Sequence, residues 1–291
     1  MFNNFECLKN KYLKHFSTIK IGGKADFIVF PHNFLELKNI FKTIKNKKLN
    51  YFILGNGSNT LFDDKGFRGV VISLKYFDKI FMKENFVWVG AGIKIFALNI
   101  KLKNLGLSGF EWSYGIPASL GGMIVSNAGC FEHDMSEIVE EVLVFDGERL
   151  KKLKASQIKF DYRNSNLREF VVLYAKLKLK KDTSNNIFER MNFYLNKKRE
   201  SQPCDLPSLG SVFKVVQTEP KIYPAKLIDN LGLKGVKING IEISQKHAGF
   251  FVNLGGGTSE DFFKLFELVK KKLLIETGVN VESEIVFLKE K

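Results

Sequence analysis

Tyr51-Phe52-Ile53-Leu54-Gly55-Asn56-Gly57-Ser58-Asn59-Thr60 runs from an apolar strand straight into a turn of glycines and short polar side chains. A dinucleotide fingerprint needs a third glycine and a helix opening directly after the turn. Here Thr60 stands where that glycine would be, and Asp63-Asp64 interrupts any helical pattern. The Rossmann reading is therefore poor. What survives is a turn whose successive backbone N–H groups can form a concave nest for a diphosphate. A plain turn between strands is the alternative for this motif taken alone.

Outward from the turn, the first region reads as a βαβ unit. Phe27–Phe30 is a short strand, and Asn33 with Glu36 makes a capping-box-like helix start. Leu37, Ile40, Phe41 and Ile44 then share one helical face, and Val70–Ser73 is a further strand. Downstream, Lys79–Phe81 and Phe86–Val89 flank a polar turn, as in a hairpin. A helix is expected over Ile93–Lys103, ending near Gly106, and Gly115–Gly129 reads as loop and turn. Ile138–Phe145 and Leu150–Leu153 flank Asp146-Gly147, a hairpin signal, and Phe170–Leu179 is a long strand. Lys181–Asn186 looks like a polar linker before a helix over Ile187–Lys198. A strand over Ser211–Val216 and a helix over Ala225–Leu231 follow. Thr258 and Asp261 cap a helix with Phe262, Phe266, Val269 and Leu273 on one face, stopped by Gly278, and Val279–Leu288 is the final strand.

Composition bounds the function. The chain has 291 residues, enough for about two domains. Apolar residues make up 45%, which excludes a disordered chain. No apolar run approaches the ~18–20 residues that span a bilayer, and Met1 to Lys20 carries no secretory pattern. Cys7, Cys130 and Cys204 lie far apart without metal-ligand spacing, and the four histidines are widely spaced, so no metal site is expected and a reducing cytoplasm fits. The net charge is +14, yet only six of the 45 basic residues are arginine. Scattered lysines such as Lys45, Lys47 and Lys48 read as a solvated surface, with attraction of anionic ligands such as nucleotides as the functional alternative, and the arginine poverty is unlike a nucleic-acid reader.

A second small-residue segment, Gly115-Ile116-Pro117-Ala118-Ser119-Leu120-Gly121-Gly122, is followed closely by Asn127-Ala128-Gly129. Small residues permit close backbone approach to a flat ligand. Two such segments without Rossmann topology point toward a flavin nucleotide. With Tyr162-Arg163-Asn164-Ser165, Gln202-Pro203, Pro207-Ser208-Leu209-Gly210-Ser211-Val212-Phe213-Lys214 and Ser244-Gln245-Lys246-His247-Ala248, these blocks resemble the UDP-N-acetylenolpyruvoylglucosamine reductase family, in order from about Ser17 to Leu288. The resemblance implies an α+β flavoenzyme. It has a vanillyl-alcohol-oxidase-like FAD-binding domain of two subdomains (1–74 and 75–181). A C-terminal α+β substrate-binding domain (182–291) returns its final strand to the flavin.

The activity implied is reduction of the enolpyruvyl ether of a UDP-sugar to a lactyl ether, with NADPH reducing non-covalent FAD and then leaving the cleft, in bacterial peptidoglycan synthesis. Hydride addition to the terminal carbon drives negative charge toward the conjugated carboxylate. The site then needs a cation at that carboxylate and an acid at the adjacent carbon. The resemblance gives Arg163 the carboxylate, Ser211 the proton and Glu284 the catalytic carboxyl role. Cofactor contacts are expected from Gly55, Asn56, Gly57, Ser58, Asn59, Thr60, Gly115, Ile116, Pro117, Ser119, Gly121, Gly122, Asn127, Ala128 and Gly129. Tyr162, Lys214 and His247 are substrate-binding candidates, although a structural histidine is the ordinary reading of His247. In the expected last strand, Glu282 and Glu284 would share a face. The chain departs from the family at Val215-Val216, where Asn-Pro is usual, and at Cys130-Phe131-Glu132. The short span between Tyr162 and Ser211 resembles the smaller family type that lacks an extra substrate-closing loop. Two rival readings are an FAD enzyme of the same fold acting on another substrate and a basic nucleic-acid or anionic-surface binder that keeps the flavin fold without activity. The Ser211, Arg163 and Glu284 combination argues against the first, and the arginine poverty against the second.

Overall fold

A computed structural model describes residues 2–83 and 86–288. The chain forms two compact units. One comprises Met1–Lys9, Phe27–Asn56 and Gly69–Lys197, and the other Asn10–Asp26, Gly57–Arg68 and Lys198–Lys291.

In the first unit, the strand Tyr51–Leu54 pairs in parallel with Val70–Ser73. The helix Phe34–Lys47 starts as its sequence dictates. Asn33 Oδ1 accepts from Glu36 N at 3.0 Å, while Glu36 Oε2 accepts from His32 N at 2.9 Å. Leu37, Ile40, Phe41 and Ile44 are all buried, in a cluster with Val29, Val70 and Ile72. A five-stranded antiparallel sheet follows, in the order Leu150–Lys154, Val139–Phe145, Val171–Leu177, Phe86–Gly90, Ile80–Lys83. Glu84 and Asn85, in the turn expected of its last hairpin, lie outside the described residues. Leu98 and Leu102 of the helix Ile95–Asn104 join the core of this sheet.

Two expectations are corrected here. Gly115–Gly129 is not all loop, because Leu120–Val125 is a short helix. Ser119 caps it, and Leu120, Met123 and Ile124 are buried at helical spacing, so packing overrides the low helix propensity of Gly121 and Gly122. Lys181–Asn186 is not a linker either. Lys180–Lys181 pairs with Leu107–Ser108, and the helix Ser184–Ser201 has already begun. Its polar lead-in is a cap, with Thr183 Oγ1 accepting from Asn186 N at 3.2 Å. Ile187 and Met191 of this helix bury against Tyr114.

The second unit holds an antiparallel sheet of order Ser208–Ser211, Phe250–Asn253, Ile241–Ile243, Lys237–Ile238, with helices Pro224–Asn230 and Ser259–Thr277. Thr258 and Asp261 form a reciprocal capping box, and Gly278 closes the last helix at φ +71°. Phe262, Phe266, Val269 and Leu273 are buried with Phe251 and Ile243. The expected strand Ser211–Val216 is corrected: only its first residue lies in a strand, Ser208–Ser211, and single bridges stand at Phe213 and Val216. The final strand shrinks likewise to Val286–Leu288. The reason is a change of partner. Glu284 N donates to Val212 O at 2.8 Å and Glu282 O accepts from Lys214 N at 2.9 Å, but Val286–Leu288 then runs parallel to Thr60–Phe62. No single ladder extends over both segments.

Candidate functional site

The Gly55–Thr60 turn is held by its side chains. Asn56 Nδ2 donates to Pro117 O at 2.7 Å, and Asn59 Nδ2 donates to Glu284 O at 2.9 Å. Gly57 sits at φ +63°, and a Cβ there would lie 1.9 Å from Phe16 O, so glycine is required for both conformation and space. Among the described residues, the backbone N–H groups of Asn56, Gly57, Ser58 and Asn59 donate to no protein acceptor. Consecutive N–H groups of this kind cost free energy unless an anion or water satisfies them. The turn therefore fits the diphosphate of a dinucleotide.

The second small-residue segment behaves differently. Leu120 N donates to Ile93 O at 3.0 Å, Gly121 N to Ala91 O at 2.8 Å, and Gly122 N to Ser119 Oγ at 3.4 Å. Three donors at this helix start are committed to protein, so the segment offers shape rather than a second anion nest. Gly115, Ile116 and Pro117 form the turn that leads into it.

Arg163 occupies the tip of a tight hairpin in which Phe160–Asp161 pairs with Asn164–Ser165. Its φ is +56°, and its guanidinium carbon lies 5.2 Å from the Tyr162 ring centroid. Nη2 donates to Gly129 O at 2.8 Å. The structure thus brings Arg163 and Tyr162 to the Asn127-Ala128-Gly129 block. Asn127 is buried, donates through Nδ2 to Asp161 O at 3.1 Å and accepts at Oδ1 from Ser136 N at 3.1 Å. Its side chain ties two loops together. Asp161 and Ser136 were missed by sequence reading because their contribution is a backbone atom, which leaves no trace in residue type.

In the second unit, Ser211 pairs with Phe250, and Glu284 N reaches the carbonyl of the next residue, Val212. Asn59, Glu284 and Val212, the residue after Ser211, are thus linked by two hydrogen bonds. Lys214 Nζ pairs with Glu282 Oε2 at 3.0 Å, and the Glu282 side chain is 77% exposed. Glu282 is engaged by Lys214 while Glu284 is half-buried. Val216 forms an isolated antiparallel bridge with Ile222. His247 accepts from Gly249 N through Nδ1 at 3.1 Å, so the neutral ring carries its proton on Nε2. Its ring stands edge-on to Phe250 at 4.9 Å, and burial pushes its pKa below 6.5. Among the described residues, no three His, Cys, Asp or Glu side chains come together as a metal site, and no helix is long and apolar enough to cross a membrane.

Comparison with known proteins bears on the family. Residues 25–148 match a family described as FAD binding domain, and residues 202–288 match the UDP-N-acetylenolpyruvoylglucosamine reductase C-terminal domain. The UDP-N-acetylenolpyruvoylglucosamine reductase of Caldicellulosiruptor saccharolyticus is 39% identical over 99% of this chain and 93% of that protein. That of Fervidobacterium nodosum is 37% identical over 97% of this chain and 92% of that protein. The crystal structure of UDP-N-acetylenolpyruvylglucosamine reductase from Thermus caldophilus superposes with a TM-score of 0.83 at 31% identity, covering 98% of this chain and 99% of that one. Both halves of the chain and its full length lead to one assignment: it belongs to the UDP-N-acetylenolpyruvoylglucosamine reductase family of FAD-dependent oxidoreductases.

Proposed function

We propose that this protein reduces UDP-N-acetylglucosamine enolpyruvate to UDP-N-acetylmuramate in the cytoplasmic synthesis of peptidoglycan precursors, with NADPH as reductant and non-covalent FAD as carrier. The observation that best supports the reading is the link from Asn59 through Glu284 to Val212. It ties Asn59 of the proposed diphosphate turn to the backbone of Glu284, and Glu284 in turn to Val212, the residue after Ser211.

When bound, FAD supplies a carrier that accepts hydride from a nicotinamide and passes it to carbon. The backbone N–H groups of Asn56 to Asn59 would hold its diphosphate. Arg163 presents a planar fork to the substrate carboxylate, where negative charge grows as hydride reaches the terminal carbon. Ser211 Oγ gives its proton to the adjacent carbon, and Glu284 in its acid form hydrogen-bonds to the developing enolate. One NADPH and one proton are consumed, and the C=C bond becomes C–C. The lysine excess recruits two anionic substrates. His247 and Tyr162 contact the UDP-sugar, and Lys214 contributes positive charge near it.

The test is an absorbance spectrum of the purified protein, followed under anaerobic conditions by NADPH and then the enolpyruvyl sugar. A flavin spectrum that bleaches with NADPH and returns with the sugar supports the reading. A flavin that bleaches and stays bleached points to another substrate. A protein that takes up no FAD overturns it. Ser211→Ala should leave the NADPH step intact and slow reoxidation by the sugar by about a hundredfold or more, the usual range for a lost proton donor.

A further inference from the structure

The strands Gly129–Cys130 and His133–Asp134 pair across a two-residue tip, Phe131-Glu132, in which both residues have positive φ, +54° and +66°. Such tips normally carry asparagine and glycine, because a Cβ in the left-handed region costs about 1–2 kcal/mol per residue. A bulky pair persists there only when something outside the turn holds it. That support is visible: the Phe131 ring lies against Tyr194 of the helix Ser184–Ser201, with centroids 5.0 Å apart. At the other end of the same hairpin, Gly129 O accepts from Arg163 Nη2. A Cβ on Gly129 would lie 2.1 Å from His133 O, so the close approach of the two strands here requires glycine. A carbonyl acceptor orients a guanidinium without adding a charge of its own.

We propose that this hairpin, gripped at its tip by Tyr194, positions the Arg163 guanidinium for the substrate carboxylate, which makes Phe131 and Tyr194 positioning residues of the reaction. The proposal rests on the reading of Arg163 given above. Loss of the ring contact frees the strained tip, lets the Gly129 carbonyl wander, and misplaces the cation without removing it.

The experiment compares Tyr194→Ala, Phe131→Leu, Tyr194→Phe and Arg163→Lys, each alone, and Tyr194→Ala with Arg163→Lys. Tyr194→Ala and Phe131→Leu should each raise KM for the enolpyruvyl sugar about tenfold, with FAD content and the rate of flavin reduction by NADPH unchanged. Tyr194→Phe should restore the wild-type KM. In the Arg163→Lys background, Tyr194→Ala should add little, because the two act on one group. Full additivity would overturn the positioning role while leaving Arg163 in place. Arg163→Lys with wild-type kinetics would overturn the Arg163 reading and this proposal with it. Equal losses in both half-reactions for Tyr194→Ala would assign Tyr194 to stability alone.

Discussion

Asn59 and Glu284 are joined by one hydrogen bond, Asn59 Nδ2 to Glu284 O at 2.9 Å, and the return bond from Val286 N to Asn59 O at 3.0 Å closes the pair. A turn near the start of the chain thereby fixes the segment that carries Glu284. Asn59→Ala should cost about 1–2 kcal/mol of stability, since it leaves a half-buried carbonyl without its donor. It should also slow reoxidation by the enolpyruvyl sugar more than reduction by NADPH. Stopped-flow measurement of the two half-reactions checks this, and an equal slowing of both would count against it.

Gly57→Ala tests the turn itself. The substitution puts a methyl group 1.9 Å from Phe16 O at φ +63°. A strained backbone and a backbone clash together should destabilise by about 2–4 kcal/mol. The flavin absorbance retained after gel filtration should fall, and a protein that keeps a full complement of FAD would show that the turn is not the diphosphate site.

Glu6 makes acid stability specific. Lys75 Nζ and Tyr76 OH each reach its carboxylate at 2.7 Å, and His32 Nε2 at 2.9 Å. The hydrogen bonds from Lys75 and then Tyr76 lead in lowering its pKa from 4.5 to about 2. The folded value lies below the unfolded one, so this stabilisation is present above pH 4.5 and is lost as pH falls toward about 2. Glu6→Gln should flatten the fall of the urea midpoint over that interval and lower the midpoint at neutral pH. An unchanged pH profile would contradict the clamp.

His247 carries the opposite chemistry with the same sign. Burial depresses its pKa below 6.5, so the unfolded chain binds the proton more readily. Its contribution is complete above pH 6.5 and is lost as pH falls below that value through the lower folded pKa. His247→Gln should remove this part of the slope of stability against pH, measured as the difference in urea midpoints between wild type and variant across the interval.

Much of the fold was legible because its signals are local. The Asn33 cap with Leu37, Ile40, Phe41 and Ile44, and the Thr258–Asp261 box with Gly278, involve partners a few residues apart and were readable directly. The helix Leu120–Val125 was not, since its glycines suggest loop and only the packing of Leu120, Met123 and Ile124 makes it a helix. The strand Val279–Leu288 was overextended because an apolar alternation cannot show that the chain changes partner near Ile285.

The family is legible in the residues alone, through small-residue turns and short motifs kept in order, and so are the local starts and stops of the helices. Those features depend on backbone conformation and on contacts within one turn, which residue type controls. It takes the folded chain to show that Arg163 meets the carbonyl of Gly129, that Asn127 ties Asp161 to Ser136, and that Lys214 engages Glu282. Each of these joins segments brought close by the packing of sheets and helices, and two of them end on a backbone oxygen or nitrogen that every residue carries. Such pairings are selected by the folded geometry as a whole.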